Sequence, residues 1–425
     1  PERLRHVASR QGCEKCRLTR PERRAAVARY HKRSMAGTTR RECLRLAALA
    51  VPGPRPPARK RVAAVVNVYY PNSHADVFLG RLLEGYRLNG VSHRPRLELV
   101  SMYCDQFPAN DMARDLAAEY GFRIYPTIAA ALRCGGRTLA VDGIAHIGEH
   151  GDYPLNEKGQ RKYPRREFFD EITRVMREDR RVVPLLVDKH FSYSWDSALW
   201  MYNTAREMKI PLMGGSTVSL TWRVPPLELT RNDELDQALV AGFGETDGYG
   251  FHALEALQAI VERRKGAESG VASVQAFQGP KVWRLGDQGV WSRELFDAAL
   301  ARTPSRLPGR PEDLAKDPVL FLVNYRDGLK GRILICNGLL RSWVFAAYRK
   351  GTREILSTDC RIQFYLHGHW GLMVRNFEEL VLHRRLPNPV ERTLLTTGIL
   401  AHCIDSLYRG SVEIPTPQLE IRYRA

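Results

Sequence analysis

From Arg61 onward, short apolar runs of strand length alternate with stretches of helical period, and this alternation limits what the chain can fold into more than any other feature. Val62–Val68 reads as a buried strand, and the following Ala75 to Tyr86 places Leu79, Leu82, Leu83 and Tyr86 on one helical face. Strands are then expected at Leu97–Tyr103, Arg123–Tyr125, Leu139–Ile144, Val182–Val187 and Ile210–Met213. Helices are expected between them, at Asn110–Tyr120, Thr127–Arg133, Phe168–Arg177 and Trp195–Met208. Crossovers of this length are right-handed, so the expected product is a doubly wound, mostly parallel α/β sheet over residues 61–215.

After Ser216 strand signals cluster without intervening helices, at Ala238–Phe243, Ala272–Phe277, Val319–Tyr325, Arg332–Cys336 and Trp343–Tyr348. The expectation for residues 216–425 is therefore an α+β domain with an open, largely antiparallel sheet. Helices at Gly250–Arg263, Trp291–Ala301, Leu372–His383 and Pro389–Tyr408 would cover one face and leave the other free to pair with a second subunit, making a homo-oligomer.

Residues 1–60 differ in kind. They hold 17 Lys and Arg against 4 acidic residues, a net of +13 out of +18, so the remaining 365 residues carry only +5. Charge confined to a tail, with no basic stripe carrying aromatics, argues against nucleic acid as a partner. No run approaches the ~20 apolar residues a membrane span needs. Val51 to Ala58 is a Pro-rich linker, and Thr39-Arg40-Arg41 ahead of Leu46-Ala47-Ala48-Leu49-Ala50-Val51 resembles a twin-arginine export signal. Export to a periplasm and a basic, disordered leader both stay open. Because the sequence opens on Pro1, the 34 residues before Met35 also read as an over-extended frame. Eight cysteines are too sparse for a disulfide framework, and the lone pair Cys13 and Cys16 is assigned no metal.

Open parallel sheets bind ligands beyond the carboxyl ends of their strands, so functional groups are sought there. Four exits are rich in them: Asn67 to His74, Asp105, His146 to Tyr153, and Asp188-Lys189-His190. Leu97 to Asp105, Ala113 to Glu119, Gly121-Phe122 and Tyr125-Pro126-Thr127 together resemble the second β/α unit of the Gfo/Idh/MocA oxidoreductases. The likeness continues in order through Lys189, Pro211–Met213, Gly250-Phe251-His252-Ala253-Leu254-Glu255 and Val390-Glu391-Arg392, covering roughly residues 61–425. It implies a Rossmann-like domain and a second domain whose sheet mediates oligomerisation. The implied activity is hydride transfer between NAD or NADP and a sugar, polyol or related alcohol.

By that resemblance, Asp105 would bind the adenosine ribose and favour NAD. Lys189 and His252 would be the catalytic pair, the lysine at the substrate hydroxyl and the histidine as acid/base. Asp188 and His190 stand where the family has Glu and Pro around that lysine, and Gly248 stands where it has an aspartate, with Asp247 one position earlier. On the helix itself, Phe251, Leu254, Leu257 and Val261 make an apolar stripe, which puts His252 and Glu255 on the opposite side and predicts a histidine outside the core.

Two features are the chain's own. Gly148 to Arg166 is too long and polar for an ordinary connection, and it reads as a substrate-closing loop with Glu149, His150, Asp152 and Tyr153 as polar contacts. His146-Ile147-Gly148-Glu149-His150 spells an inverted zinc-protease motif but follows a strand, not a helix, so protease chemistry is not expected. No metal is assigned, although His146, Glu149, His150 and His190 are residue types that could hold one. The phosphate turn, with Asn67, Tyr69, Asn72 and His74 as its candidate cofactor contacts, contains no glycine, and Pro71 removes one N–H. A non-redox member of the fold, whether a small-molecule binder, lyase or hydrolase, is therefore the alternative to a dehydrogenase.

Overall fold

The computed structural model describes residues 58–352, 354–362 and 367–425. The twin-arginine stretch, the Cys13/Cys16 pair and the linker up to residue 57 lie outside the described residues. Arg59–Ala425 forms one compact unit.

Its first half begins with β1 (Lys60–Val66), whose last five residues are all buried, and turns through Ser73 into α1 (His74–Glu84). The Ser73 side chain accepts from the Asp76 N–H, as an N-cap should. A hairpin of β2 (Tyr86–Leu88) and β3 (Val91–His93) leads to β4 (Leu97–Cys104), α2 (Ala113–Tyr120), β5 (Arg123–Tyr125) and α3 (Ile128–Leu132). Then come β6 (Gly143–Ile147), α4 (Arg165–Glu178), β7 (Leu185–Asp188), α5 (Trp195–Glu207) and β8 (Leu212–Gly215). The sheet order is β5-β4-β1-β6-β7-β8, every pair parallel. The expected strand at Leu139–Ile144 is displaced toward the C-terminus. Leu139 and Val141 are instead core residues of the approach to β6, packed with Phe168, Phe169 and Ile172 of α4, so their apolarity reflects burial without ladder bonding.

In the second half, β9 (Trp222–Val224), β10 (Leu235–Gly242), α6 (Gly248–Val261) and β11 (Val271–Gln278) precede α7 (Lys281–Asp287), α8 (Arg293–Leu300) and α9 (Pro311–Leu314). The chain continues through β12 (Val319–Tyr325), β13 (Lys330–Ile335), β14 (Trp343–Arg349), β15 (Ile355–Arg361), α10 (Trp370–His383), α11 (Val390–Tyr408) and β16 (Ile414–Pro415). Eight strands order as β16-β11-β12-β13-β10-β14-β15-β9. All pairs are antiparallel except β10 with β13.

The expected free face of this sheet is covered. Alternation along β10 sends Ala238 and Val240 to a core shared with α6 and α11, and Leu239 and Ala241 to a second core with Trp283, Trp291, Leu295 and Phe296 of the α7–α8 segment. Among the described residues, β10, β12, β13 and β14 thus lack the free face that the sequence suggested. The helix α10 crosses back to the first half, where Trp370, Val374 and Phe377 pack with Phe78 and Leu79 of α1.

Candidate functional site

The strand order reverses at β1, so the crevice of the first sheet opens between the carboxyl ends of β1 and β6. Six sequence-predicted residues meet near it. His74, the first residue of α1, has Nδ1 2.5 Å from an oxygen of Asp188 at the end of β7. Glu149 ion-pairs with Arg165, and its other oxygen lies 3.6 Å from Lys189 Nζ. His150 packs edge-on to the rings of His74 and Tyr70. His190 Nε2 is 3.1 Å from Arg165 Nη1. A guanidinium only donates, so that nitrogen accepts and the ring proton stands on Nδ1, which is buried without a partner.

Backbone geometry holds this cluster. Lys189 has φ +68° and His150 φ +66°, left-handed conformations that the surroundings enforce. Lys189 exchanges backbone bonds with Gly215, and its Nζ donates to Gly248 O at 3.2 Å. Asn67, fully buried, donates to His150 O at 3.2 Å and so fixes the loop after β6 to the end of β1. Gly148 is required because a Cβ there would stand 2.7 Å from Arg165 Cγ.

Burial pushes up the Glu149 carboxyl, but Lys189 and Arg165 outweigh it and hold it well below the usual range. Burial, then Arg165, drives His146 down to about 3 and His190 well below its ordinary value. These histidines are neutral near pH 7, and both ring nitrogens of His146 are buried without partners.

A second group lies across Lys189. The Lys189 ammonium sits over the Tyr249 ring at 5.6 Å, and that ring meets His252 edge-on. Ser216 Oγ is 2.6 Å from His252 Nδ1, while Glu255 accepts from the Ser216 N–H and from Thr396 Oγ1. The expectation of a histidine outside the core is overturned here. His252 and Glu255 are 7% and 1% exposed because α6 is enclosed on both sides, by the sheet and by the Thr217–Leu220 turn with α11. Burial and Lys189 keep the His252 imidazole neutral.

Five predicted residues, Tyr69, Asn72, Asp105, Asp152 and Tyr153, stand apart. Tyr69 is core. Asn72 is exposed, with its N–H donating to Asp76. Asp105 accepts from Tyr103 Oη and from Tyr153 Oη, each at 2.7 Å, and Asp152 is tied to Gln106 through its own backbone N–H and C=O.

Two residues that carry the site were not singled out for it in the sequence. Arg165 falls in register with Phe168, Phe169 and Ile172 on the buried stripe of α4, and an arginine on an apolar stripe is the signal that could have found it. Asp247, at the N-terminus of α6, faces a polar pocket of about 380 Å³ lined by Glu157, Lys158, Gln160, Glu245 and Tyr408. Gln160 Nε2 lies 3.5 Å and His190 Nε2 4.0 Å from its carboxylate. Burial raises Asp247 to about 6.

No family model and no curated protein matches this sequence. Solved structures do. GenD2 from gentamicin A biosynthesis, solved in complex with NAD, superposes with a TM-score of 0.55 at 13% identity, over 86% of this chain and 99% of its own. The fold is that of the Gfo/Idh/MocA-type dehydrogenases. A myo-inositol dehydrogenase from Corynebacterium glutamicum gives 0.51 at 13% identity, over 84% and 98% of the two chains. The scyllo-inositol dehydrogenase of Lactobacillus casei gives 0.52 at 7% identity over the same shares. This chain therefore has an oxidoreductase fold of Rossmann type at great sequence distance.

On such a sheet a dinucleotide lies across the strand ends with its pyrophosphate at the first helix N-terminus. Here that end carries the Asp76 carboxylate on Asn72 N–H and the Ser73 hydroxyl on Asp76 N–H. At the end of β4, where the adenosine would lie, the chain's own loop supplies hydrogen bonds, from Tyr153 to Asp105 and from the Asp152 N–H to Gln106. These residues do not fit a dinucleotide held in that manner.

Proposed function

We propose that the chain is a non-redox enzyme, of lyase or hydrolase type, acting by proton transfer on a hydroxyl-bearing, carbohydrate-type small molecule between its two sheets. The observation that supports this reading is the polar pocket with Asp247 in its wall, on the side of α6 where Lys189 meets Gly248. About 380 Å³ lies within the ordinary range for small-ligand sites. Asp247, raised to about 6 by burial, keeps its proton to a higher pH than an ordinary aspartate and can give it to a leaving oxygen on the acid side of neutrality. Gln160 orients that carboxyl. Lys189 and neutral His252 do not line this pocket; they would serve a substrate that extends past Gly248, the lysine as a cation for developing negative charge and the histidine as a proton acceptor.

NAD(P)-dependent oxidation of a sugar or polyol is the second reading, favoured by the likeness to dehydrogenase structures and by Lys189 at the carboxyl end of β7. One experiment separates the two. The purified full chain is denatured and searched for released NAD(H) or NADP(H) by mass spectrometry, and the native chain is titrated calorimetrically with both dinucleotides. The first reading expects no retained nucleotide and no binding at millimolar concentration, and micromolar binding of either would overturn it.

A further inference from the structure

The crevice between β1 and β6 holds a group that the proposed chemistry does not use. His74, Glu149 and His150 each offer a ligand atom, and these atoms lie within 4.8 Å of one another. We propose that they form a binding site for a divalent first-row transition ion, with His74, Glu149 and His150 as its protein ligands and Asp188 as the carboxylate that orients His74.

Two imidazoles and a carboxylate are a donor set that suits zinc, iron or cobalt, with remaining positions open to water or a substrate hydroxyl. Further observations point the same way. His150 Nε2 is buried and has no hydrogen-bond partner, a state that an ion resolves. His74 Nδ1 lies 2.5 Å from Asp188, and a carboxylate in that position is commonly found behind metal-bound histidines. His150 is held in a left-handed conformation by the Asn67 bond to its carbonyl, so the loop bends where the ligand is needed. Trp370 and Tyr70 wall the histidines with aromatic rings, which limits water and strengthens electrostatics.

The opposing terms are Arg165 and Lys189, both directed at Glu149. Lys189, at 3.6 Å, is beyond hydrogen-bond distance, so the oxygen facing it can turn to an ion. Tetrahedral ligands about 2.1 Å from zinc stand roughly 3.4 Å apart, a closure that side-chain rotation supplies.

The site goes beyond the proposed reaction and does not rest on it. The test uses the full chain, stripped with a chelator and dialysed against ZnCl₂ or CoCl₂, with bound metal measured by mass spectrometry. Because Cys13 and Cys16 could bind zinc on their own, the measurement is repeated on the Cys13→Ser, Cys16→Ser protein. About one ion per chain is expected in both, falling to background in His150→Gln and retained in His402→Gln. Asp188→Asn should keep the ion with affinity reduced about 10- to 100-fold. The cobalt protein gives a second readout, visible d–d bands without thiolate charge transfer, and circular dichroism of each variant separates loss of the site from loss of the fold. Absence of an ion in the Cys-substituted chain, thiolate bands there, or unchanged binding in His150→Gln would overturn the site. Dinucleotide titration is unaffected by any of these outcomes, so the two proposals fail separately.

Discussion

Tyr153 donates its hydroxyl to Asp105 at 2.7 Å, joining the loop after β6 to the carboxylate that ends β4. Tyr153→Phe removes one of the two tyrosine bonds on Asp105 and should cost about 1 kcal/mol, read as a lowered denaturant midpoint. Calorimetric titration of this variant with NAD tests whether the loop bond bears on dinucleotide binding: affinity gained over the unsubstituted chain would assign it that role, and unchanged behaviour would not.

Arg165 is 1% exposed and serves both Glu149 and His190. Replacing it by Met leaves a buried carboxylate facing only Lys189. Arg165→Met should destabilise the fold by about 3 to 5 kcal/mol, and Glu149→Gln added to it should restore part of the loss. Urea unfolding of the two variants measures both.

Acid should unfold the protein from a higher pH than its carboxylates alone would set. His146 and His190 are depressed in the folded chain, so below the unfolded value of 6.5 the unfolded state takes up protons that the folded state refuses. The stabilisation is whole above that pH; for His146 it is lost as pH falls toward about 3, and His190 acts in the same direction. Unfolding curves between neutrality and pH 4 would show it, and a flat midpoint over that window would contradict the assignment.

For Asp247 as the proton donor, activity on any carbohydrate-type substrate that a screen returns should fall as pH rises through about 6, because the protonated form is lost. Asp247→Asn should lower kcat by about 10² to 10⁴ and flatten that limb. A retained limb in the variant would assign it to another group.

Trp291 is fully buried and its Nε1 donates to Val282 O at 2.9 Å, so it anchors the layer of helices over the second face of the C-terminal sheet. Trp291→Ala should cost about 3 to 5 kcal/mol by thermal or denaturant unfolding.

The first sheet was legible because its strands are buried on both faces and therefore read as unbroken apolar runs, Val62 to Val66 most plainly. The strand exits led to His74, Glu149, His150, Asp188, Lys189 and His190 for the same reason, since topology alone brings them to one crevice. The surroundings of α6 were not legible. Its second side is lined by Ala253, Ala256 and Ala259, small residues that close packing needs but that leave only a weak apolar signal around His252 and Glu255. The covered face of the second sheet was missed because Leu239, Leu320 and Val344 alternate with residues equally apolar, and period-two reading cannot say what lies opposite either set. Asp247 was named only as a displaced counterpart of a family aspartate, because a pocket wall assembled from residues 157–160, 245–247 and 404–408 has no local pattern.

The flanking of the C-terminal sheet by helices on both sides also bears on how this chain behaves at high concentration. Its two outermost strands, β16 and β9, are only two and three residues long and pair with only two residues of β11 and three of β15. Strand-on-strand templating between copies, the usual route from an open sheet to aggregates, would therefore run along the rest of β11 and β15, and β16 and β9 shorten that rim.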